Sequence, residues 1–425
     1  MQAIFKIFRH SLGYFAFNIL NYAVPFMLLP ILTAYLTPSE YGLLSIYQVL
    51  LSFALAFIGM GLSVNISKTF YSTSQEYTAR LVGNQFIIVV TVTVALLIVT
   101  HAYFSHNVFL FGIPSVWAYT VPIIAMMKVI SDFNLNIIRN ESKVIQFGVF
   151  QISSTVIEMG LSVAFIVLLG LSWVGRAGGI FLAALVMGVV SLIYMTRRGY
   201  FLWSPDSTMI KSSLLVSVPL IFHTLSAVII NMSDRFFIEQ MIGQDVLGIY
   251  NIGYTFGMTT LLIVDAVSKV WTPWLFKQLA DDNENQKRFI VQLTYIGFVG
   301  YILVAIVLTG ASWFLIPILT DEAYHGAFIY VSWVALSYAV RGMYSLVFPY
   351  LVHKDKTQFV GVSTVTAAIL NLVANYILIQ RFGAVGAAQA TLISFVVLFL
   401  GVWWYARRIY PMPWGLQWMF RKERS

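Results

Sequence analysis

The sequence predicts an all-α integral membrane protein of twelve transmembrane helices, and three observations lead there. Of its 425 residues, 59% are hydrophobic and only 10% are charged, whereas a soluble domain spends about 25% of its residues on charge to wet its surface. Apolar stretches of roughly 20 residues, the length a helix needs to cross the hydrocarbon core, recur along the chain. The basic residues alternate in step with those stretches, as Lys and Arg do when they mark one side of a membrane.

The expected spans of the first half are 10–36, 41–66, 82–103, 115–137, 145–170 and 174–196. Those of the second half are 211–240, 248–274, 288–310, 324–350, 358–380 and 383–406. Lys6 and Arg9 precede a first stretch too long for a signal-peptide core, with Pro25 and Pro30 inside it, so it reads as a retained helix. The apolar runs are too long and continuous for barrel strands. The longest connections, near 197–210 and 275–287, are too short to fold alone, which leaves no soluble catalytic domain and no expected enzyme activity. An aromatic content of 16% fits Trp and Tyr at the membrane–water interfaces, and the absence of cysteine excludes disulfide and iron–sulfur chemistry.

The charges test the count. With the N-terminus cytoplasmic, nineteen of the 25 Lys and Arg fall in cytoplasmic segments, from Lys6 and Arg9 to Arg421, Lys422 and Arg424 in the tail. Arg176 and Arg381 fall outside, while Lys128, Arg235, Lys269 and Arg341 lie within spans. One miscounted helix would invert every later loop. The asymmetry therefore places both termini in the cytoplasm, and the net charge of +8 is a topology signal with no nucleic-acid partner implied.

The two halves repeat. At an offset of 211, Leu161 meets Leu372, Ile166 meets Ile377, Val174-Gly175 meets Val385-Gly386, Ala177 meets Ala388, Tyr194 meets Tyr405 and Arg197 meets Arg408. Near the start of each half the offset is 206, where Ser11 meets Ser217 and Gly42 meets Gly248. Six helices return the chain to its starting side, so the halves are parallel repeats about an axis along the membrane normal. The expected domains are an N-terminal six-helix lobe at 1–200, a cytoplasmic linker at 201–210, a C-terminal six-helix lobe at 211–410 and a basic tail at 411–425. Two such lobes enclose a central cavity, and rocking one against the other gives alternating access, a transporter's architecture.

Ionisable groups at membrane depth are costly and usually face a wet interior. Eight stand out: Lys128, Asp132, Glu158, Asp234, Arg235, Asp265, Lys269 and Arg341. Lys128 with Asp132, and Asp265 with Lys269, are spaced i,i+4 and share a helix face; each is either a self-neutralising pair or an ion site or gate in the cavity wall. Asp234 and Arg235 are adjacent and point to different faces, so one of them needs a partner on another helix or a ligand, unless Arg235 snorkels to the interface. Arg341 lines up with Lys128 at an offset of 213, which would give the cavity a cationic lining in both lobes. Arginine's rigid fork of donors suits phosphate. Glu158 has no basic neighbour within four residues, and is either a site for a coupling proton or Na⁺ or an interhelical hydrogen-bonding group. His223, beside Pro219, reads as structural. Pro25, Pro30 and Pro219 favour bending of the opening helices of both lobes.

Absences narrow the chemistry. No Gly-Lys dipeptide occurs, so there is no phosphate-binding loop for ATP, and His101 and His106 lack zinc-helix spacing. Asp281-Asp282-Asn283-Glu284 reads as a solvated turn rather than a metal site. No cofactor is expected.

Leu36-Thr37-Pro38-Ser39-Glu40-Tyr41-Gly42 after the first span carries a family resemblance, as do Asp234-Arg235 and Gly243-Gln244-Asp245-Val246-Leu247-Gly248-Ile249-Tyr250 in the second half. With the length and topology, these segments resemble the Wzx-type polysaccharide flippases of the MATE-like (MOP) exporter superfamily. Twelve spans rather than fourteen set the chain apart from the lipid II flippases of that superfamily. The resemblance implies translocation of undecaprenyl-diphosphate-linked oligosaccharide repeat units, for O-antigen, capsule or a related lipopolysaccharide or exopolysaccharide, across the bacterial inner membrane. It implies a membrane-lipid partner, coupling to a proton or Na⁺ gradient, and association with polymerase and chain-length machinery. On this reading Arg341, Arg235 and Lys128 attract the substrate diphosphate, and Glu158, Asp132, Asp234, Asp265 and Lys269 serve ion coupling or gating. The rivals are a multidrug or organic-cation antiporter of the same fold, whose cavity should be acidic or aromatic, and a membrane glycan polymerase or ligase, which the short outer loops disfavour.

Overall fold

The computed structural model describes residues 26–279 and 283–415, and it is helical almost throughout. Among the described residues, eleven helical segments are long and apolar enough to cross a membrane. In the first half these belong to α2 (Pro38–Gly59), α4 (Gln75–Phe104), α5 (Ser115–Asn140), α6 (Val144–Val163) and α7 (Ser172–Arg197). The second half contributes α8 (Ser207–Met241), α9 (Gln244–Met258) with α10 (Thr260–Leu279), α11 (Glu284–Leu319), α12 (Phe328–His353), α13 (Thr357–Phe382) and α14 (Ala384–Ile409). Each coincides with one of the spans expected from 41–66 onward. The first expected span is described only from residue 26, as α1 (Phe26–Tyr35), which contains Pro30; Pro25 lies outside the described residues.

The second span of each half is broken. In the first half α2 stops where Met60 and Gly61 turn left-handed (φ 47 and 67), and α3 (Leu62–Thr69) continues beyond. In the second, Thr259 separates α9 from α10. The span at 145–170 ends in a π-turn, Ala164–Leu168. Where no strand is expected, Phe109–Leu110 pairs antiparallel with Ile113–Pro114, a two-residue hairpin closing the α4–α5 connection around Gly112 (φ 76). Asn283 caps α11, while Asp281 and Asp282 lie outside the described residues.

Helix α5 packs against α2, α4, α6 and α7, and α12 against α9, α10, α11 and α14, so each half gathers around a central helix. Peripheral helices carry apolar side chains outward, as α11 does with Leu303, Ile306, Val307 and Phe314, which fits lipid as their solvent. The halves meet where α2 lies against α8 and α9, and where α3 and α4 touch α8. The end of the molecule at which α2 and α9 begin is called the crossing end below, and the opposite end, carrying the 198–206 connection, the linker end.

Local chemistry starts α2. Thr37 accepts a hydrogen bond from the Glu40 amide, the Glu40 carboxylate accepts from the Thr37 amide at 2.8 Å, and Pro38 occupies the first turn. The Thr-Pro-Ser-Glu segment is thus a capping box, and it sets where α2 meets α9. There the two halves nest reciprocally. A Cβ on Gly42 would sit 2.2 Å from the carbonyl oxygen of Gln244, and one on Gly248 would sit 1.9 Å from that of Pro38. At the 206 offset Pro38 corresponds to Gln244 and Gly42 to Gly248, so one contact is made twice across a pseudo-twofold axis. The junction is reinforced by Ser39 Oγ donating to Gln244 Oε1 (3.2 Å), Tyr324 donating to the Leu36 carbonyl (2.8 Å) and the Asp321 amide donating to Thr33 Oγ1 (3.3 Å).

At the linker end Glu141 ties the first half's connections together. Its carboxylate ion-pairs with Arg198 and with Lys143 (3.3 Å) and accepts from Tyr200 at 2.8 Å. Burial opposes its ionisation, but the hydrogen bonds from Arg198 and Tyr200 and the charge of Arg198 outweigh burial and hold the carboxyl below its usual range. Burial, with Glu141 alongside, pushes the Tyr200 hydroxyl up to about 12.

Candidate functional site

The intramembrane charges form two clusters, one in each half. In the second half, Asp234 is fully buried and Arg235 is 4% exposed. They ion-pair directly, Arg235 Nη1 to Asp234 Oδ1 at 2.8 Å. The direct pair was not expected of helix neighbours; the arginine stem is long enough to bring its fork back around the backbone, and the expected partners on another helix are present too. The ion pair also removes the snorkelling alternative. Both residues have cross-helix partners as well. Tyr250 donates to Asp234 Oδ2, Arg235 Nε donates to Asn251 Oδ1 at 3.3 Å, and the guanidinium lies 4.1 Å over the Tyr254 ring. Tyr254 and Tyr338 share a hydroxyl–hydroxyl bond of 2.8 Å, and Tyr338 donates to Asn231.

In the first half, Glu158 accepts from Arg176 Nη2 at 2.8 Å and pairs with Lys128 Nζ at 3.4 Å, so one carboxylate serves two cations from α5 and α7. Arg176 Nη1 donates to Ser162 Oγ at 2.8 Å, and Ser162 donates to the Glu158 carbonyl. Two glycines one turn apart on α7 bring the helices this close. A Cβ on Gly179 would lie 2.3 Å from Ser162 Oγ, and one on Gly175 3.0 Å from the Ile166 amide. Arg176 itself was expected in an outer loop; it is buried on α7, because the carboxylate on α6 draws its long side chain into the protein. Of the two readings left open for Glu158, the described arrangement is the interhelical one.

The remaining candidates separate. Lys128 engages Glu158, not Asp132, and among the described residues Asp132 has no ion pair. Arg341 is half-buried at mid-depth on α12, its guanidinium 5.8 Å over Tyr338 and 5.9 Å over Phe395, with no carboxylate ion-paired to it among the described residues. Arg235 and Arg341 are thereby joined through the Tyr254–Tyr338 pair. Asp265 is half-buried and Lys269 exposed on α10, and both are engaged. His223 is exposed on α8.

Beneath the crossing lies a cavity of about 160 Å³. The first half lines it with Leu28, Leu32, Tyr41, Leu44, Ser45, Gln48 and Arg176, and the second with Met232, Arg235, Asn251, Tyr254, Thr255 and Met258. Ser45 and Asn251, and Gln48 and Tyr254, correspond at the 206 offset, so the walls inherit the symmetry of the crossing. A guanidinium enters from each half and no carboxylate reaches the lining. Sequence reasoning missed Arg176, Asn251, Tyr254 and Tyr338. The Gly-x₃-Gly pattern flanking Arg176 was the signal available for the first.

Two bundles meeting around a polar interior, with paired charges inside an apolar exterior, define a multi-pass, all-α membrane protein. The comparisons agree. Residues 8–279 match the family described as "Polysaccharide biosynthesis protein", and the chain belongs to that family. It is 24% identical over 298 residues to the Lsg locus putative protein 1 of Haemophilus influenzae, covering 68% of this chain and 69% of that one. Its fold is similar to the inward-facing conformation of a multidrug resistance MATE family transporter of the MOP superfamily, with TM-score 0.73, 13% identity and coverage of 91% and 94%. A MOP superfamily transporter from Pyrococcus furiosus, whose structure is described as showing a binding pocket of reverse polarity, matches with TM-score 0.63, 15% identity and 95% of each chain.

Proposed function

We propose that the protein flips undecaprenyl-diphosphate-linked oligosaccharide repeat units across the bacterial inner membrane by alternating access. The observation that carries this reading is the sign of the interior. Lys128, Arg176, Arg235 and Arg341 supply four cations to the bundle interior, and the carboxylates Glu158 and Asp234 are spent in holding three of them. An anionic diphosphate fits such an interior, whereas an organic cation does not. Arg341, the cation with no carboxylate partner among the described residues, together with Arg235 and Lys128, is the proposed attractor of the diphosphate.

The orientation follows from the charges. Basic residues at the ends of the described helices gather at the linker end, among them Lys143, Arg197, Arg198, Lys287, Arg288, Lys354, Arg407 and Arg408, against Arg381 at the crossing end. This supports cytoplasmic termini, with the crossing on the outer side and the 201–210 linker joining lobes 1–200 and 211–410 on the cytoplasmic side. For coupling to a proton or Na⁺, Asp132 is favoured over Glu158 and Asp234. A carboxylate already neutralised by a guanidinium offers little to a second cation, and Asp132 has no ion pair among the described residues. Asp265 and Lys269 are kept as gating candidates on α10.

The test is a strain lacking the gene. Loss of surface polysaccharide with single lipid-linked units trapped on the cytoplasmic leaflet is expected. Normal polysaccharide with new sensitivity to cationic drugs would make the protein an antiporter, and single units accumulating on the outer leaflet would assign it to polymerisation or ligation.

A further inference from the structure

The two arginines beneath the crossing have a consequence for how substrate and conformation are linked. Arg176 and Arg235 come from different halves and line one cavity, together with Tyr41 and Asn251. Each fork is braced from behind by a carboxylate of its own half, Glu158 or Asp234, and neither carboxylate is in the lining. Asp234 matches Arg235, but Glu158 alone serves both Lys128 and Arg176, so the two clusters together carry one positive charge in excess, which an anion in the shared space would balance. The space offers more donors than two forks. Tyr41 and Asn251 line it, and the Gln48 side-chain amide has no hydrogen-bond partner among the described residues. At about 160 Å³ it has room for several waters or for a diphosphate.

We propose that this cavity is a phosphate or diphosphate site shared between the halves, and that an anion bound across Arg176 and Arg235 locks the crossing shut. Arg176 Nη1 and Nη2 already donate to Ser162 and Glu158, and Arg235 Nε and Nη1 to Asn251, Asn231 and Asp234, so each guanidinium gives the anion its remaining N–H donors and both must be present for the full set of bonds. When α2 and α9 part, the anion keeps the donors of one half only, so opening the crossing and loosening the anion are one event. The inference rests on the flippase reading for the identity of the anion, and assigns the diphosphate a role in conformation as well as in binding.

The chain has no cysteine, so Ser39→Cys with Gln244→Cys, at two positions that hydrogen-bond across the crossing, reports the crossing without background. The double variant of the full chain, in nanodiscs of zwitterionic lipid, is titrated with inorganic pyrophosphate, and in a parallel arm with farnesyl diphosphate. Disulfide yield under limiting oxidant is expected to rise about tenfold. Pyrophosphate as effective as the prenyl compound marks a free anion as ligand, and a preference for farnesyl diphosphate marks a lipid-linked one. Adding Arg176→Gln should abolish the rise, and Arg176→Lys should restore part of it. Asn251→Asp keeps the bond to Arg235 and brings a carboxylate into the cavity, so it should raise the yield with no anion added. No rise in either arm, or an equal rise with Arg176→Gln, overturns the proposal; so does an Asn251→Asp protein that folds yet crosslinks like its parent. These readouts do not depend on transport. A working lock in a protein whose loss leaves polysaccharide export intact would overturn the flippase reading alone.

Discussion

Gly248→Ala should weaken the crossing selectively, and its size follows from the geometry. The added Cβ would lie 1.9 Å from the Pro38 carbonyl oxygen, where a carbon–oxygen contact needs about 3.3 Å. The backbones of α2 and α9 must therefore separate by roughly 1.4 Å, and no side chain can yield in their place. Forced overpacking of this kind costs about 1–3 kcal/mol. Alanine also favours the helix over glycine by about 0.8–1 kcal/mol, but α9 is a helix whether or not the crossing is made, so that term cancels from the ratio of the two states. The crossed state should thus lose about 5–150-fold in population relative to the parted one. In the Ser39→Cys/Gln244→Cys background the disulfide yield should fall accordingly, with the melting temperature held or raised. Gly42→Ala, 2.2 Å from the Gln244 carbonyl, should act the same way by symmetry. Gly300→Ala, where a Cβ meets nothing, is the control. Parental crosslinking in Gly248→Ala, or an equal loss in Gly300→Ala, would refute the reasoning.

Three further outcomes are expected. Glu158→Gln strips the shared carboxylate from Lys128 and Arg176 and should cost on the order of 2–3 kcal/mol, below the about 3–5 kcal/mol of a fully buried pair because Lys128 keeps solvent access; an unchanged melting temperature counts against the triad. Arg341→Ala breaks no ion pair and loses only about 0.5–1 kcal/mol of ring contact, yet should abolish polysaccharide export in a complementation assay, and normal export would remove Arg341 from the site. Glu141 has its folded-state pKa depressed, so its contribution to stability is present above the unfolded value of about 4.5 and is lost as pH falls through the lower folded value; Glu141→Gln should flatten that acid limb of the melting curve, and an unaltered limb would show that other groups set it.

Much of the scaffold is legible in the sequence because the bilayer imposes one rule, a length of apolar helix, on every element. The eleven spans from 41–66 onward are recovered on that ground, and Gly42 and Gly248 were already visible as repeat mates. The site was less legible. Spacing along one helix says which residues share a face, so Lys128 and Asp132 looked like partners; it says nothing about α6, which delivers Glu158 to Lys128 instead. Arg176 was lost because hydropathy places span ends by composition, and a long side chain near an end can turn inward as readily as outward. Asp234–Arg235 misled for the opposite reason, since face geometry describes Cβ directions while a guanidinium acts several atoms further out.

Comparing scaffold and charge explains why these errors fell where they did. The crossing obeys the repeat: Pro38 answers Gln244, Gly42 answers Gly248, and the cavity walls below match Ser45 to Asn251. The charges do not obey it. At the 206 offset Leu28 and Leu29 stand where the second half has Asp234 and Arg235, and at the 211 offset Ile369 and Ala387 stand where the first half has Glu158 and Arg176. A rocking pair of lobes needs a symmetric contact, because the same surfaces must meet and part together. The proposed ligand, with a charged head and a neutral glycan, has no such symmetry, and each half holds its cations on different helices. Duplication therefore predicts the contact between the halves, whereas the charged groups break the repeat and must be found one residue at a time.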